Sequence, residues 1–213
     1  MKFHHILIIL FYFFTINTSC KSKNSKLAAQ NDSIKLHAPV VDTMDKARQL
    51  KAPVINIEDT VTAKQYIIYT KDSAANIAGV SKKIATSLSG LSSFLKTNKM
   101  KAVGPPMAWY KTNKAPYFFE IGLPVAKKPA KLMKAFFVKE IGADSALVAH
   151  FFGPYEITGV AYDALKERLV SQNRKAVSAP YEIYVSDPID EKGNLKNPYK
   201  VQTDIVMPYK KIK

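Results

Sequence analysis

A single carboxylate set among phenols is the part of this sequence with chemical promise. In Ala179-Pro180-Tyr181-Glu182-Ile183-Tyr184 a glutamate precedes a tyrosine by two positions. That spacing puts both side chains on one face of a β-strand. Tyr181, Ile183 and Val185 then share the face that suits a helix layer, and Glu182, Tyr184 and Ser186 look the other way. A carboxylate partly shielded from water attracts an organic cation more strongly than one in bulk solvent, and neighbouring rings add cation–π attraction of about 0.5–2 kcal/mol. Sufficient burial would also let Glu182 activate water as a general base, with a tyrosine as proton donor. A strand glutamate with neither role is a solvated surface residue.

Other chemistry is thinly provided for. There is no Gly-rich phosphate loop, no HExxH, no CxxC and no G-x-S-x-G. The single cysteine excludes an internal disulfide framework and any Cys-based zinc or iron–sulfur site. Of the four histidines, His4, His5 and His37 lie in the first 40 residues, and His150 sits in the apolar run Ala149-His150-Phe151-Phe152, where a hydrogen-bonded structural role is expected. No cofactor and no metal cluster is expected.

The elements that must position Glu182 follow from an internal duplication beginning at Gln65. Ile77-Ala78-Gly79-Val80 recurs as Ile157-Thr158-Gly159-Val160, Pro106-Met107-Ala108-Trp109-Tyr110 as Pro180-Tyr181-Glu182-Ile183-Tyr184, and Glu120-Ile121-Gly122-Leu123-Pro124 as Asp204-Ile205-Val206-Met207-Pro208. Each half reads as strand, helix and two hairpin strands. The strands open at Tyr66–Thr70 and Ala146–Phe152, and the helices cover about Ser73–Thr97 and Tyr155–Asn173. The hairpins pair Met107–Lys111 with Tyr117–Gly122, and Tyr181–Ser186 with Val201–Met207. The expected fold class is therefore α+β: tandem β-α-β-β repeats with pseudo-two-fold symmetry, an antiparallel sheet, two helices on one face and a central concave groove on the other. By this symmetry Ala108 and Tyr110 stand opposite Glu182 and Tyr184. Trp109 falls on the other face unless a β-bulge at Pro105-Pro106 swaps the two. Tyr155, which opens the second helix, is a further candidate for the groove or simply packs there. Glu120 and Asp204 are expected on solvated faces.

Phe152-Gly153-Pro154-Tyr155-Glu156 leading into Ala161-Tyr162-Asp163-Ala164-Leu165, then the Pro180–Tyr184 strand with Asp187-Pro188, and the Thr203–Pro208 strand resemble the GyrI-like small-molecule-binding domain, also called the bacterial effector-binding domain. The resemblance covers about residues 65 to 209. It implies a tandem β-α-β-β fold binding amphipathic, often cationic, organic molecules in a central groove, with Glu182 at the position that meets the ligand in cation-binding members. Many relatives are attached to transcriptional regulators, some inhibit DNA gyrase, and a few hydrolyse cyclopropane-bearing compounds. This chain has no helix-turn-helix segment and opens with an export signal, so a transcriptional output is not expected.

That signal occupies residues 1–19: Lys2, the apolar run Ile6–Phe14, and small polar residues before Cys20. Asn17-Thr18-Ser19-Cys20 resembles a lipobox, which implies acylation of Cys20 and anchorage at a bacterial envelope membrane. Residues 20–64 are expected to form a flexible tether, with room for a short helix near Asp42–Leu50.

The 213 residues carry 32 Lys and Arg against 17 Asp and Glu, a net charge of +15. In a cytoplasmic chain this would suggest nucleic acid; an exported one meets anionic lipid head groups instead, or simply gains solubility. The expected partners are thus a small amphipathic molecule and a membrane, with no nucleic acid. The function read from the sequence is an envelope binding protein; a hydrolase using Glu182 as base and a non-catalytic scaffold are the alternatives.

Overall fold

Alternation of apolar residues begins earlier than the tether reading allows. The computed structural model describes residues 51–112 and 114–212, and in it Val54–Val61 form strand β1 at the edge of the sheet. Ile55 and Ile57 turn inward against the second helix's core while Asn56 and Glu58 turn outward, a period-2 pattern that earns the segment a place in the fold. The tether boundary at residue 64 is therefore corrected: residues 54–61 belong to the sheet. The signal sequence, Cys20 and the tether through residue 50 lie outside the described residues.

The remaining elements follow in order: β2 (Gln65–Ala74), α1 (Ile77–Thr97), β3 (Met107–Tyr110), β4 (Tyr117–Val125), β5 (Phe137–Ile141), β6 (Ser145–Phe152), a 3-10 turn (Tyr155–Ile157), α2 (Gly159–Ser171), β7 (Arg174–Ala176), β8 (Tyr181–Ile183) and β9 (Gln202–Lys211). The chain is thus an α+β protein with a large antiparallel sheet and two long helices, as expected. The sheet runs β1-β6-β9-β8-β3-β4-β2-β5, with β7 pairing the far end of β9. β5 and β7 were not anticipated. Among the described residues no helix is long and apolar enough to cross a membrane.

Registers identify the faces. Ile57, Ala149, Ile205, Glu182, Ala108 and Ile121 are successive partners across the sheet, so they form one transverse row on one face. Both helices cover that face. α1 buries Val80, Ile84, Leu88, Leu91 and Leu95, spaced by three or four, against Ile68, Ala108 and Ile121. Its first turn is capped by Asn76, whose side chain accepts from the Gly79 amide at 2.8 Å. α2 lays Ala161, Leu165 and Leu169 on Leu147, Ala149 and Ile205. The far face carries its own cluster of Ile67, Met107, Trp109, Val148, Tyr181 and Val206. Gly122 lets β4 lie tightly on β2: a Cβ there would fall 2.6 Å from Ile67 Cγ2 and 2.8 Å from the Ile68 carbonyl oxygen.

Candidate functional site

Glu182 lies in the middle of the sheet on the face that the helices cover. β8 pairs with β3 so that Glu182 opposes Ala108, and with β9 so that it opposes Ile205. Its alternation partner Tyr184 is buried in the α1 core, while Tyr181 lies on the far face with Trp109, ring centroids 5.3 Å apart. The expected assignment of faces is inverted, with Tyr181 and Ile183 away from the helices and Glu182 and Tyr184 beneath them. Alternation fixes which residues share a face, but Tyr181 at 5% exposure and Glu182 at 2% are both buried, so burial gave no tie-break.

Each oxygen of the Glu182 carboxylate takes a phenol. Tyr162 of α2 donates to Oε1 at 2.8 Å, and Tyr155 of the preceding 3-10 turn donates to Oε2 at 2.7 Å. Tyr155 Oη also lies 2.9 Å from Tyr110 Oη, which lies 3.0 Å from Tyr184 Oη. A phenol has one proton and an ionised carboxylate only accepts, so with Tyr155 donating to the carboxylate, Tyr110 donates to Tyr155 and Tyr184 to Tyr110. The chain of hydroxyls ends on Glu182 from two helical elements, strand β3 and the residue that follows β8. Burial pushes the Glu182 carboxyl above its ordinary range, and the hydrogen bonds from Tyr155 and Tyr162 pull only part of this back. Burial first, and the Glu182 charge second, push Tyr110, Tyr155 and Tyr162 upward too. Among the described residues no cation is paired with Glu182.

The space around Glu182, expected as an open groove on the helix-free face, lies beneath the helices and is largely filled by these rings. A cavity of about 50 Å³ remains beside them, lined by Tyr155, Tyr184, Pro188, Leu195, Lys196 and Pro198 among others. It is far below the roughly 300–1,000 Å³ of a typical small-molecule site. Glu182 stands behind the two tyrosines that face it. The loop after Tyr184 roofs the cavity and is tied together by Asp190, which accepts from the amides of Lys192 and Asn194.

Of the anticipated residues, Glu182, Tyr184, Tyr110, Ala108 and Tyr155 come together. Trp109 does not: its ring lies on the far face, with Lys139 Nζ 3.3 Å from its centroid. Tyr110 rather than Trp109 shares the face of Glu182, as its hydroxyl contacts with Tyr155 and Tyr184 show. Cys20 lies outside the described residues. Tyr162 was missed, though its seven-residue spacing from Tyr155, about two helical turns, was a readable signal. Glu120 and Asp204, expected in solvent, are mostly buried and paired. Glu120 accepts from Lys139 Nζ at 2.9 Å and lies 3.3 Å from Lys111. Asp204 Oδ1 lies 2.8 Å from His150 Nδ1 and accepts from Gln202 at 2.8 Å, while His150 Nε2 reaches Glu58 on β1 at 3.3 Å. His150 is thus a hydrogen-bonded clasp between three strands.

No protein-family model matches this sequence, and no curated protein matches it. Solved structures do. The crystal structure of the EcmrR C-terminal domain is 16% identical, with a TM-score of 0.60 over 76% of this chain and 100% of that one. The EcmrR–DNA complex solved by cryo-EM is likewise 16% identical with a TM-score of 0.60; the match covers 75% of this chain but only 58% of that one. An uncharacterized conserved protein from Listeria innocua is 10% identical, with a TM-score of 0.51 over 72% of this chain and 92% of its own. At these identities the likeness is one of fold alone, consistent with the GyrI-like fold that the sequence resembles.

Proposed function

We propose that this chain binds amphipathic organic cations, with Glu182 as the counter-ion and Tyr110, Tyr155, Tyr162 and Tyr184 as its aromatic surround. The observation that carries the reading is a fully buried carboxylate with phenols for partners and, among the described residues, no cation beside it. An uncompensated charge at such depth costs several kcal/mol, so it is retained at the expense of stability, and a cationic ligand would supply the missing charge. The rings that now fill the space would then turn from hydroxyl donation to face-on contact with the cation. Entry requires the loop over the cavity and the 3-10 turn carrying Tyr155 to give way, because the space of about 50 Å³ beside the rings holds no more than a few waters. The two halves are read as a duplicated unit, a reading supported by a strand order that places β2, β4 and β3 on one side of the centre as β6, β9 and β8 on the other. The site would lie at their junction, on a lipoprotein held at the bacterial envelope through Cys20.

The test of binding is thermal shift and tyrosine-fluorescence quenching with a panel of lipophilic cations. Stabilisation by cations but not by neutral molecules of the same shape is expected, lost in Glu182→Gln; binding indifferent to that substitution would overturn the counter-ion. Palmitate labelling abolished by Cys20→Ala tests the anchor.

A second reading has one observation in its favour: a buried glutamate with a raised pKa is suited to act as a base. Hydrolysis of a strained electrophile by the purified chain, lost in Glu182→Gln, would establish it in place of simple binding.

A further inference from the structure

The connection from β4 to β5 joins positive charge to apolar side chains held outward. From residue 121 to residue 139 the chain contains five lysines and no acid. Lys127, Lys128, Lys131 and Lys134 are exposed and, among the described residues, form no ion pair. The nearby acids are paired with other lysines, Glu120 with Lys139 and Lys111, Glu140 with Lys64 and Asp72 with Lys83, although the Glu140 charge also reaches Lys128. Within this field Met133 is 59% exposed and Phe137 is 39% exposed.

The exposure is built in. Leu132 and Phe136 turn inward onto the α1 core, Phe136 meeting Phe94 edge-on at 5.2 Å, and the Phe136 amide donates to the Met133 carbonyl at 2.9 Å. Thr70 of β2 donates to the Ala135 carbonyl at 3.1 Å. Met133 therefore opens a braced turn whose tip is Lys134-Ala135. Solubility accounts for lysines; it does not account for a methionine held in water among them, nor for a phenylalanine left more than a third exposed beside Tyr69 and beneath Lys71.

We propose that this turn docks the protein on an anionic lipid surface. Met133 and Phe137 enter the boundary between head groups and acyl chains, and the lysines lay their methylenes along that boundary with their ammonium groups at the lipid phosphates. A nucleic acid fits less well. Residues 126–137 hold no Arg, Asn or Gln with which to read base edges, and Met133 gains nothing from a phosphodiester backbone.

The experiment is co-sedimentation of the full chain with vesicles of phosphatidylcholine alone and of phosphatidylcholine with phosphatidylglycerol. The apolar leader contributes to both alike, so the difference between them reads the charge. Tighter binding to the anionic vesicles is expected, weakening as salt shortens the screening length from about 10 Å at 0.1 M. Removing Lys127, Lys131 and Lys134 together as Lys→Gln should lower that binding roughly fivefold per lysine, on the order of a hundredfold in all. The same charge removed at Lys175, Lys192 and Lys200 should leave most of it. Met133→Ser should weaken binding while preserving its salt dependence. Equal loss in the two triple variants would overturn the assignment, because bulk charge would then suffice. So would vesicle binding untouched by the Lys127, Lys131 and Lys134 substitutions, or substitutions that abolish binding to a single-stranded oligonucleotide while leaving vesicle binding intact.

Discussion

Replacing Glu182 with glutamine should remove a pH dependence of stability that the natural chain carries. The carboxyl is 2% exposed, and its burial holds its pKa above the ordinary 4.5 despite the phenols around it. Unfolded, it sheds its proton near 4.5; folded, it keeps the proton to higher pH. Below 4.5 both states are protonated and the group contributes nothing to the balance. Between 4.5 and the folded pKa the native state binds more protons than the unfolded one, so stability falls as pH rises, by at most about 1.4 kcal/mol per pH unit. Above the folded pKa the loss is complete and the curve levels. Glutamine has the same shape, keeps an acceptor for one phenol and never ionises. Urea unfolding of both proteins over a pH series gives the measurement, and subtracting one from the other cancels the remaining titrations. Natural-chain stability minus Glu182→Gln stability should decline from pH 4.5 upward. A difference that is flat or rising there refutes the idea that the fold holds this carboxylate against its preference for water. A lipophilic cation needs the anion, so below the folded pKa its apparent affinity should climb with pH by up to about tenfold per unit.

Tyr162→Phe deprives Oε1 of its donor, and should cost about 1–3 kcal/mol in urea unfolding while moving the Glu182 titration further upward; unchanged stability would mean that the phenol is dispensable. Burial pulls the His150 imidazolium down, but Asp204 and Glu58 more than reverse this, so its pKa is raised above 6.5. Its contribution to stability is full below 6.5 and is lost as pH rises through the folded value, and proton NMR of the ring should find it titrating late, with a midpoint at or below 6.5 counting against the clasp. Gly122→Ala should lower the melting temperature through an overpacking cost of about 1–3 kcal/mol, since the Ile68 carbonyl 2.8 Å from the new Cβ is backbone and cannot step aside.

Much of the site was legible because strand alternation and pairing are local rules. Glu182 beside Ala108, and Tyr110 within reach of Tyr184, follow from placing the two P-x-x-x-Y strands side by side. The side of the sheet was not legible. Both faces here are lined with large side chains, Trp109 and Tyr181 on one and Ile121 and Ile205 on the other, so no polar face marks the outside. β1 escaped notice because two inward isoleucines flanked by Asn56, Glu58 and Asp59 look polar on average; the partner strand β6 supplies what makes Ile55 and Ile57 a buried row. The engagement of Glu120 with Lys139 was beyond reach for a related reason, since Lys139 stands on β5, a strand the hydrophobic pattern did not reveal.

The β3–β8 ladder is the narrowest join in the sheet. Met107 meets Ile183 and Ala108 meets Glu182, and one further amide, that of Tyr184, donates to the Pro106 carbonyl. On either flank the ladders run long, from Tyr66 to Ala74 on one and from Ala146 to Phe152 on the other. Mechanical compliance is therefore concentrated at a seam that contains the acid and its phenols. A guest wedged there would splay two stiff wings, carrying β1 and β5 at their tips, so an event among a few hydroxyls becomes a change of outline across the whole molecule.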